Sequence, residues 1–282
     1  MKNKMSDKSL IGDGYARGKL WGKLTSPQNR IMIGIPMTGL LRAEWVLARY
    51  GQVIPCNWSQ VDSLQFIEQY SPVNYLVADA RNLIVQQAIT GNFEWLFFID
   101  HDVIIPPVTF LTLNEYMLSK KYPVVAGLYF TKSVPAEPLI YRGLGNSFYT
   151  DWKFGDIVPV TGHGMGCTLI HVSILKAMWD EMPEYQIGNW TCRKIFETPA
   201  KQWFDPQTLS WQAGTGTEDL NWCARVMEHD YFTKAKKHGG DWGKFQKKEF
   251  PFMVDTRLYC RHIDFDGRQF PMMGEDAKYL RK

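Results

Sequence analysis

Residues 78–107 read ADARNLIVQQAITGNFEWLFFIDHDVIIPP, and the fold turns on how the second half of this stretch is taken. Glu94 to Asp100, EWLFFID, is a continuous apolar run of strand length that finishes on Asp100-His101-Asp102. Apolar side chains in succession, without alternation, suit a central strand covered on both faces. Just upstream, Tyr75 to Ala78 resemble the end of another strand, and Asp79 is placed to cap a helix. Ala80, Leu83, Ile84 and Ala88 then fall on one helical face, which Gly91 closes. Downstream, Pro106 and Pro107 open a further helix through about Ser119.

The alternation continues on either side. RIMIGIP (Arg30 to Pro36) is a short β run stopped by proline, LLRAEWVLARYG is a helix ending at Gly51, QVIPCNW offers a second strand, and YPVVAGLYF is another buried one. Strand and helix in turn imply an α/β protein with a mostly parallel central sheet flanked by helices. Ligands of such sheets bind beyond the carboxyl ends of the strands. Pro36 to Gly39, Asp79 to Arg81 and Asp100 to Asp102 all fall at such ends, so three polar clusters are expected on one edge.

The second half is less regular. A Gly-rich turn (TGHGMGC) leads into a strand over Cys167 to His171 and then a helix. FDPQTLSWQAGTGT reads as a loop feeding a helix that begins at Glu218-Asp219 and carries Leu220, Cys223, Ala224 and Met227 on one face. PFMVDTRLYCRHIDFDG is a strand followed by a turn rich in His and Asp. Between these lies a segment with lysines at 234, 236, 237, 244, 247 and 248. It reads either as a solvated loop or as a clamp for phosphates, including those of DNA.

Residues 1–29 read as a loosely ordered arm and residues 30–282 as a single domain. With 45% hydrophobic and 22% charged residues, a packed core is expected. A net charge of +3 does not by itself argue for nucleic acid or an anionic membrane. The five cysteines are scattered without a C-x-x-C pair, which suits reduced thiols in a cytoplasm and gives no zinc site. No apolar run approaches the ~20 residues of a membrane helix, and the N-terminus lacks the apolar core of a signal peptide.

Asp100 and Asp102 lie two positions apart and approach one another if the chain turns there. Oxygen ligands of this kind suit Mg²⁺ or Mn²⁺, which keep waters and take substrate phosphates as further ligands. The same pattern also occurs in ordinary polar loops. The order of motifs favours the first reading, because the chain resembles GT-A glycosyltransferases, particularly family-2-like enzymes. Ala80-Arg81-Asn82, Asp100-His101-Asp102, the Glu218-Asp219 pair opening a helix and His262 in YCRHIDFDG match that family's motifs in sequence order, over roughly residues 30 to 265.

The resemblance implies a GT-A fold and transfer of a hexosyl or pentosyl group from a nucleotide-diphosphate sugar to an acceptor hydroxyl. It implies that Asp102 and His262 ligate Mn²⁺ or Mg²⁺, with Asp100 binding the ribose or the metal through water. Arg81 would sit near the donor's phosphates or sugar, Asp79 near the base or ribose, and Pro36 and Thr38 against the base. Asp219 would be the general base of an inverting displacement, and Glu218 would hold an acceptor hydroxyl. Each assignment has a plainer rival: Asp79 as a helix cap, Glu218 and Asp219 as carboxylates stabilised by the helix dipole, His262 as a surface histidine. The acceptor is a glycan, a small molecule or DNA. A viral enzyme modifying hydroxymethylated bases, working in host cytoplasm, is one alternative, and a non-catalytic nucleotide-sugar or glycan binding module is another.

Overall fold

The computed structural model describes residues 30–55, 58, 67–143 and 148–275. The expected N-terminal arm lies outside them, as do Cys56 and Asn57 of QVIPCNW. The core is a seven-stranded sheet. Strand β1 (Ile31–Gly34) pairs in parallel with β2 (Ile67–Tyr70) on one side and β3 (Trp95–Ile99) on the other. Next to β3, β9 (Cys167–His171) runs antiparallel, followed by β5 (Val124–Leu128), β14 (Phe252–Tyr259) and the antiparallel edge strand β7 (Ile157–Val160). Five strands point one way and two the other, which fits the α/β, GT-A-like architecture expected from the sequence. Every residue of β3, β5 and β9 is buried, as the unbroken apolar runs of β3 and β5 require.

Smaller pairings decorate the sheet. Strand β4 (Val103–Ile104) joins β15 (Arg261–Ile263) and β16 (Gln269–Phe270). Strand β6 (Ile140–Tyr141) pairs with β8 (Gly162–His163), β10 (Glu184–Ile187) with β11 (Trp190–Arg193), and β12 (Ala200–Asp205) with β13 (Ser210–Thr215). The helices are α1 (Ala43–Tyr50), α2 (Val77–Thr90), α3 (Thr109–Ser119), α4 (Val172–Glu181), α5 (Glu218–Glu228), α6 (Tyr231–Lys234) and α7 (Gly243–Gln246), with a 3₁₀ turn at Ala235–His238.

Four sequence expectations need correction. Gln52 to Pro55 form no strand; the sheet's edge is β2, IEQY, whose side chains stay largely half-buried. Tyr75 to Ala78 do not end a strand, and Asp79 does not cap α2. That helix begins at Val77, with Leu76 at the cap position and no side-chain bond there. Asp79 sits within its first turn and accepts a hydrogen bond from Tyr185 Oη at 2.8 Å. The stretch before α5 is a hairpin, not a loop. The buried face of α5 carries Glu218, Trp222, Cys223 and Val226.

The lysine-rich segment is not an irregular loop, although its six lysines are exposed. It folds as short helical turns packed on α4. Lys234 pairs with Glu181 at 2.7 Å, Lys237 with Asp180 at 2.7 Å, and His238 lies 3.0 Å from Asp180. The Lys248 ammonium lies over the Phe245 ring.

Candidate active site

The carboxyl ends of β1 and β3, the start of α2 and the start of α5 meet at one end of the sheet. The D-x-D turn is fixed by its backbone. The Asp100 amide donates to Gly166 O at 2.9 Å, Val103 N donates to Asp100 O at 3.1 Å, and Trp45 Nε1 of α1 donates to Asp100 O at 2.8 Å. The glycines of the 162–166 turn serve this packing. A Cβ on Gly166 would lie 2.9 Å from Asp100 Oδ2, and one on Gly164 would lie 2.1 Å from Tyr129 Oη. Only residues without a Cβ let the two side chains approach so closely.

Arg81, on the first turns of α2, is the centre of the cluster. Its Nη2 donates to Asp100 Oδ2 at 3.0 Å and its Nε to Glu218 Oε1 at 3.1 Å, while Phe98 lies beneath the guanidinium. The side chain is 2% exposed. Burial alone would ease the proton off Arg81, but Asp100 and Glu218 reverse this and fix the charge. Nη1 has no hydrogen-bond partner among the described residues. Arg81, which the resemblance put near the donor's phosphates or sugar, is a buried bridge between two acidic motifs.

Burial pushes the Asp100 carboxyl up. Arg81 pulls it back, and the charges of Asp102 and Glu218 leave it above the ordinary value. Asp219, beside Glu218, is also raised, by burial first and by the negative neighbour second; it accepts a bond from its own helix at Leu220 N, 2.8 Å away. A carboxylate held above its usual range is a better proton acceptor than a solvated one. Next to it runs an apolar groove of about 550 Å³ lined by Tyr141, Gly162, Leu220, Met227 and Phe250. The α5 face that carries Leu220, Cys223, Ala224 and Met227 forms one wall of this groove.

Asp102 faces the other way. Strand β15 pairs His262 with Val103, and Ile263 N donates to Asp102 O at 2.8 Å. This register sets His262 Nε2 3.4 Å from Asp102 Oδ2. The other ring nitrogen, Nδ1, lies 2.8 Å from Phe130 O and must donate to that carbonyl. An imidazolium donates from Nε2 to the Asp102 carboxylate, whereas a neutral ring faces it with a lone pair that a metal cation can take up. Lys132 supplies positive charge there, with Nζ 2.7 Å from the same Oδ2. Burial works to raise the Asp102 carboxyl, but His262 and Lys132 outweigh it and hold it well below the usual range.

The donor chemistry of Asp102 and His262 therefore fits a divalent cation, and four carboxylates against Arg81 and Lys132 leave negative charge for one. Asp100, expected to bind the ribose or the metal through water, is turned to Arg81. Among the described residues no three His, Cys, Asp or Glu side chains gather around one point.

The ends of β1 and β3 are tied through His101. Its Nδ1 lies 3.1 Å from Pro36 O and its Nε2 3.1 Å from Thr38 Oγ1. The tautomer that donates from Nδ1 and accepts at Nε2 satisfies both. Thr38, His101, Asp102, Lys132 and Phe265 line an open cavity of about 710 Å³. Asp79 is not among its lining residues; its hydrogen bond to Tyr185 ties α2 to β10 instead. Lys132 was not singled out from the sequence. The available signal was its place in the loop after β5, at the same sheet edge as the other clusters.

No family model matches this chain, and no curated protein matches it. Among solved structures it is similar to A197 from STIV, at 17% identity and TM-score 0.46 over 83% of this chain and 86% of that one. It is also similar to S. aureus TarS in complex with UDP-GlcNAc, at 14% identity and TM-score 0.33 over 55% of this chain and 48% of that one. A third is a glycosyltransferase involved in the glycosylation of the major capsid of PBCV-1, at 16% identity and TM-score 0.26, covering 53% and 65% of the two chains. The chain spans about half the length of the TarS structure. Among the described residues no helix is long and apolar enough to cross a membrane.

Proposed function

We propose that this protein transfers a glycosyl group from a nucleotide-diphosphate sugar to an acceptor hydroxyl. One observation carries the reading. Arg81 joins Asp100 to Glu218, which lies 137 positions beyond Arg81, and His262 meets Asp102 at 3.4 Å. Four motifs scattered along the chain thus gather at one end of the sheet, where an α/β fold binds its ligands.

In this reading the cavity beside Thr38, His101 and Asp102 receives the donor's nucleotide and diphosphate. A divalent cation held by Asp102 and His262 would supply positive charge to the departing diphosphate. Asp219 takes the proton of the acceptor hydroxyl. The hydroxyl oxygen bonds to the anomeric carbon as the bond from that carbon to the diphosphate oxygen breaks, and configuration inverts. Arg81 keeps Asp100 and Glu218 in place and holds their charges together.

Two measurements test this. Nucleotide-diphosphate sugars should raise the melting temperature when Mn²⁺ is present, by the equivalent of ~2.7 kcal/mol at a hundredfold excess over the dissociation constant. If none of them shifts it, the donor site is misassigned. With a donor identified, Asp219→Asn should lower kcat by about 10²–10⁴ while the donor-induced shift survives. Undiminished turnover, or a product of retained anomeric configuration by NMR, would remove Asp219 from the role of base.

A further inference from the structure

One oxygen of Asp102 is contacted twice. Lys132 Nζ lies 2.7 Å from Oδ2, and His262 Nε2 lies 3.4 Å from the same atom. A divalent cation held by Asp102 and His262 would need that oxygen and that nitrogen. An ammonium already at hydrogen-bond distance opposes it by volume and by like charge. Lys132 is nonetheless not locked in place. It is 31% exposed, it lines the 710 Å³ cavity, and Asp102 is its hydrogen-bonding partner. A lysine is a point charge on a flexible four-carbon stem, able to turn from one anion to another without a fixed geometry.

We propose that Lys132 is an internal counter-ion that keeps the Asp102–His262 cation site closed in the free protein and moves to the diphosphate when nucleotide and divalent ion enter together. This rests on reading the cavity as a nucleotide-diphosphate site. No covalent change is involved; one ion pair, Lys132 with Asp102, is exchanged for two, Lys132 with phosphate and the divalent cation with Asp102. The cation and the nucleotide therefore bind cooperatively, and by linkage each strengthens the other by the same factor. A free divalent ion meets a closed site, and a diphosphate offers Lys132 the alternative partner that opens it.

The test is Mn²⁺ binding to the full chain, followed by the electron paramagnetic resonance signal of free Mn²⁺, with and without UDP or GDP. Wild type should bind Mn²⁺ weakly alone and about tenfold or more tightly with nucleotide. Lys132→Met should bind Mn²⁺ alone about tenfold more tightly than wild type, with the gain from nucleotide reduced by a similar factor. Lys132→Arg should keep the wild-type coupling. Urea midpoints near wild type would certify that the variants are folded, and Lys132→Gln replaces Lys132→Met if the latter is not. Unchanged Mn²⁺ affinity and unchanged coupling in the folded neutral variant overturn the counter-ion role alone. Failure of wild type to bind Mn²⁺ under any of these conditions overturns the reading of the site along with it.

Discussion

Asp100 and Asp102 stand two residues apart and each is paired with a cation, yet the two pairs are built differently. Arg81 is 2% exposed against Asp100 at 21%, and it donates to two carboxylates in a fixed fork. Lys132 is 31% exposed against Asp102 at 29%, and its ammonium makes a single contact from a cavity wall. A buried guanidinium with two matched acids cannot leave without stranding charge. An ammonium at an open, partly exposed mouth exchanges partners with little loss. One turn of chain thus ties one carboxylate into the architecture and leaves the other at a cavity wall.

Mutations should separate the two pairs. The largest effect is expected from Arg81→Ala, which leaves Asp100 and Glu218 buried without their partner and should cost about 3–5 kcal/mol in urea unfolding. A loss below ~1 kcal/mol would show that the buried pair behaves as an exposed one. Lys132→Met should change unfolding stability by no more than ~1 kcal/mol; a larger loss would mean that Lys132 is structural and would erase the contrast.

The smallest effect is in pH dependence, and its sign is diagnostic. The Asp102 carboxyl is depressed in the folded protein, so its ionisation stabilises the fold above the ordinary value near 3.8 and that stability is lost as pH falls through the depressed one. Asp219 is raised, so its contribution is present below the ordinary value and is lost as pH rises through the raised one. The stability difference between wild type and Asp102→Asn should therefore shrink on acidification, while that for Asp219→Asn should move the other way. Parallel pH trends would contradict the opposed environments of the two aspartates. With Asp219 as the proposed base, the acid limb of kcat/KM should lie above the usual carboxylate range, and Asp219→Asn should abolish that limb.

The sequence made the interior of the sheet visible because β1, β3 and β5 are apolar throughout. It hid β2, since IEQY at a sheet edge needs no apolar pattern. The hairpin of β12 and β13 was missed because its connection, Pro206 to Leu209, carries none of the Asn-Gly or Asp-Gly signals of a tight two-residue turn. Asp79 looked like a cap because nothing local distinguishes a capping aspartate from one that bonds a distant tyrosine. The motifs named most of the residues that meet at the site, but not their partners. That Arg81 spends its donors on Asp100 and Glu218, and that Lys132 rests on Asp102, are facts of tertiary contact between positions far apart in the chain.

The Arg81 bridge also has a bearing on how the chain reaches its final form. Glu218 lies 137 residues beyond Arg81, and His262 pairs beside Asp102 only when the last strands dock. Contacts of such long range form late, after much loop entropy has been surrendered. An incompletely assembled molecule would hold a lone guanidinium under Phe98 and an unmatched Asp102, so ligand competence and completion of folding should arrive in the same cooperative step.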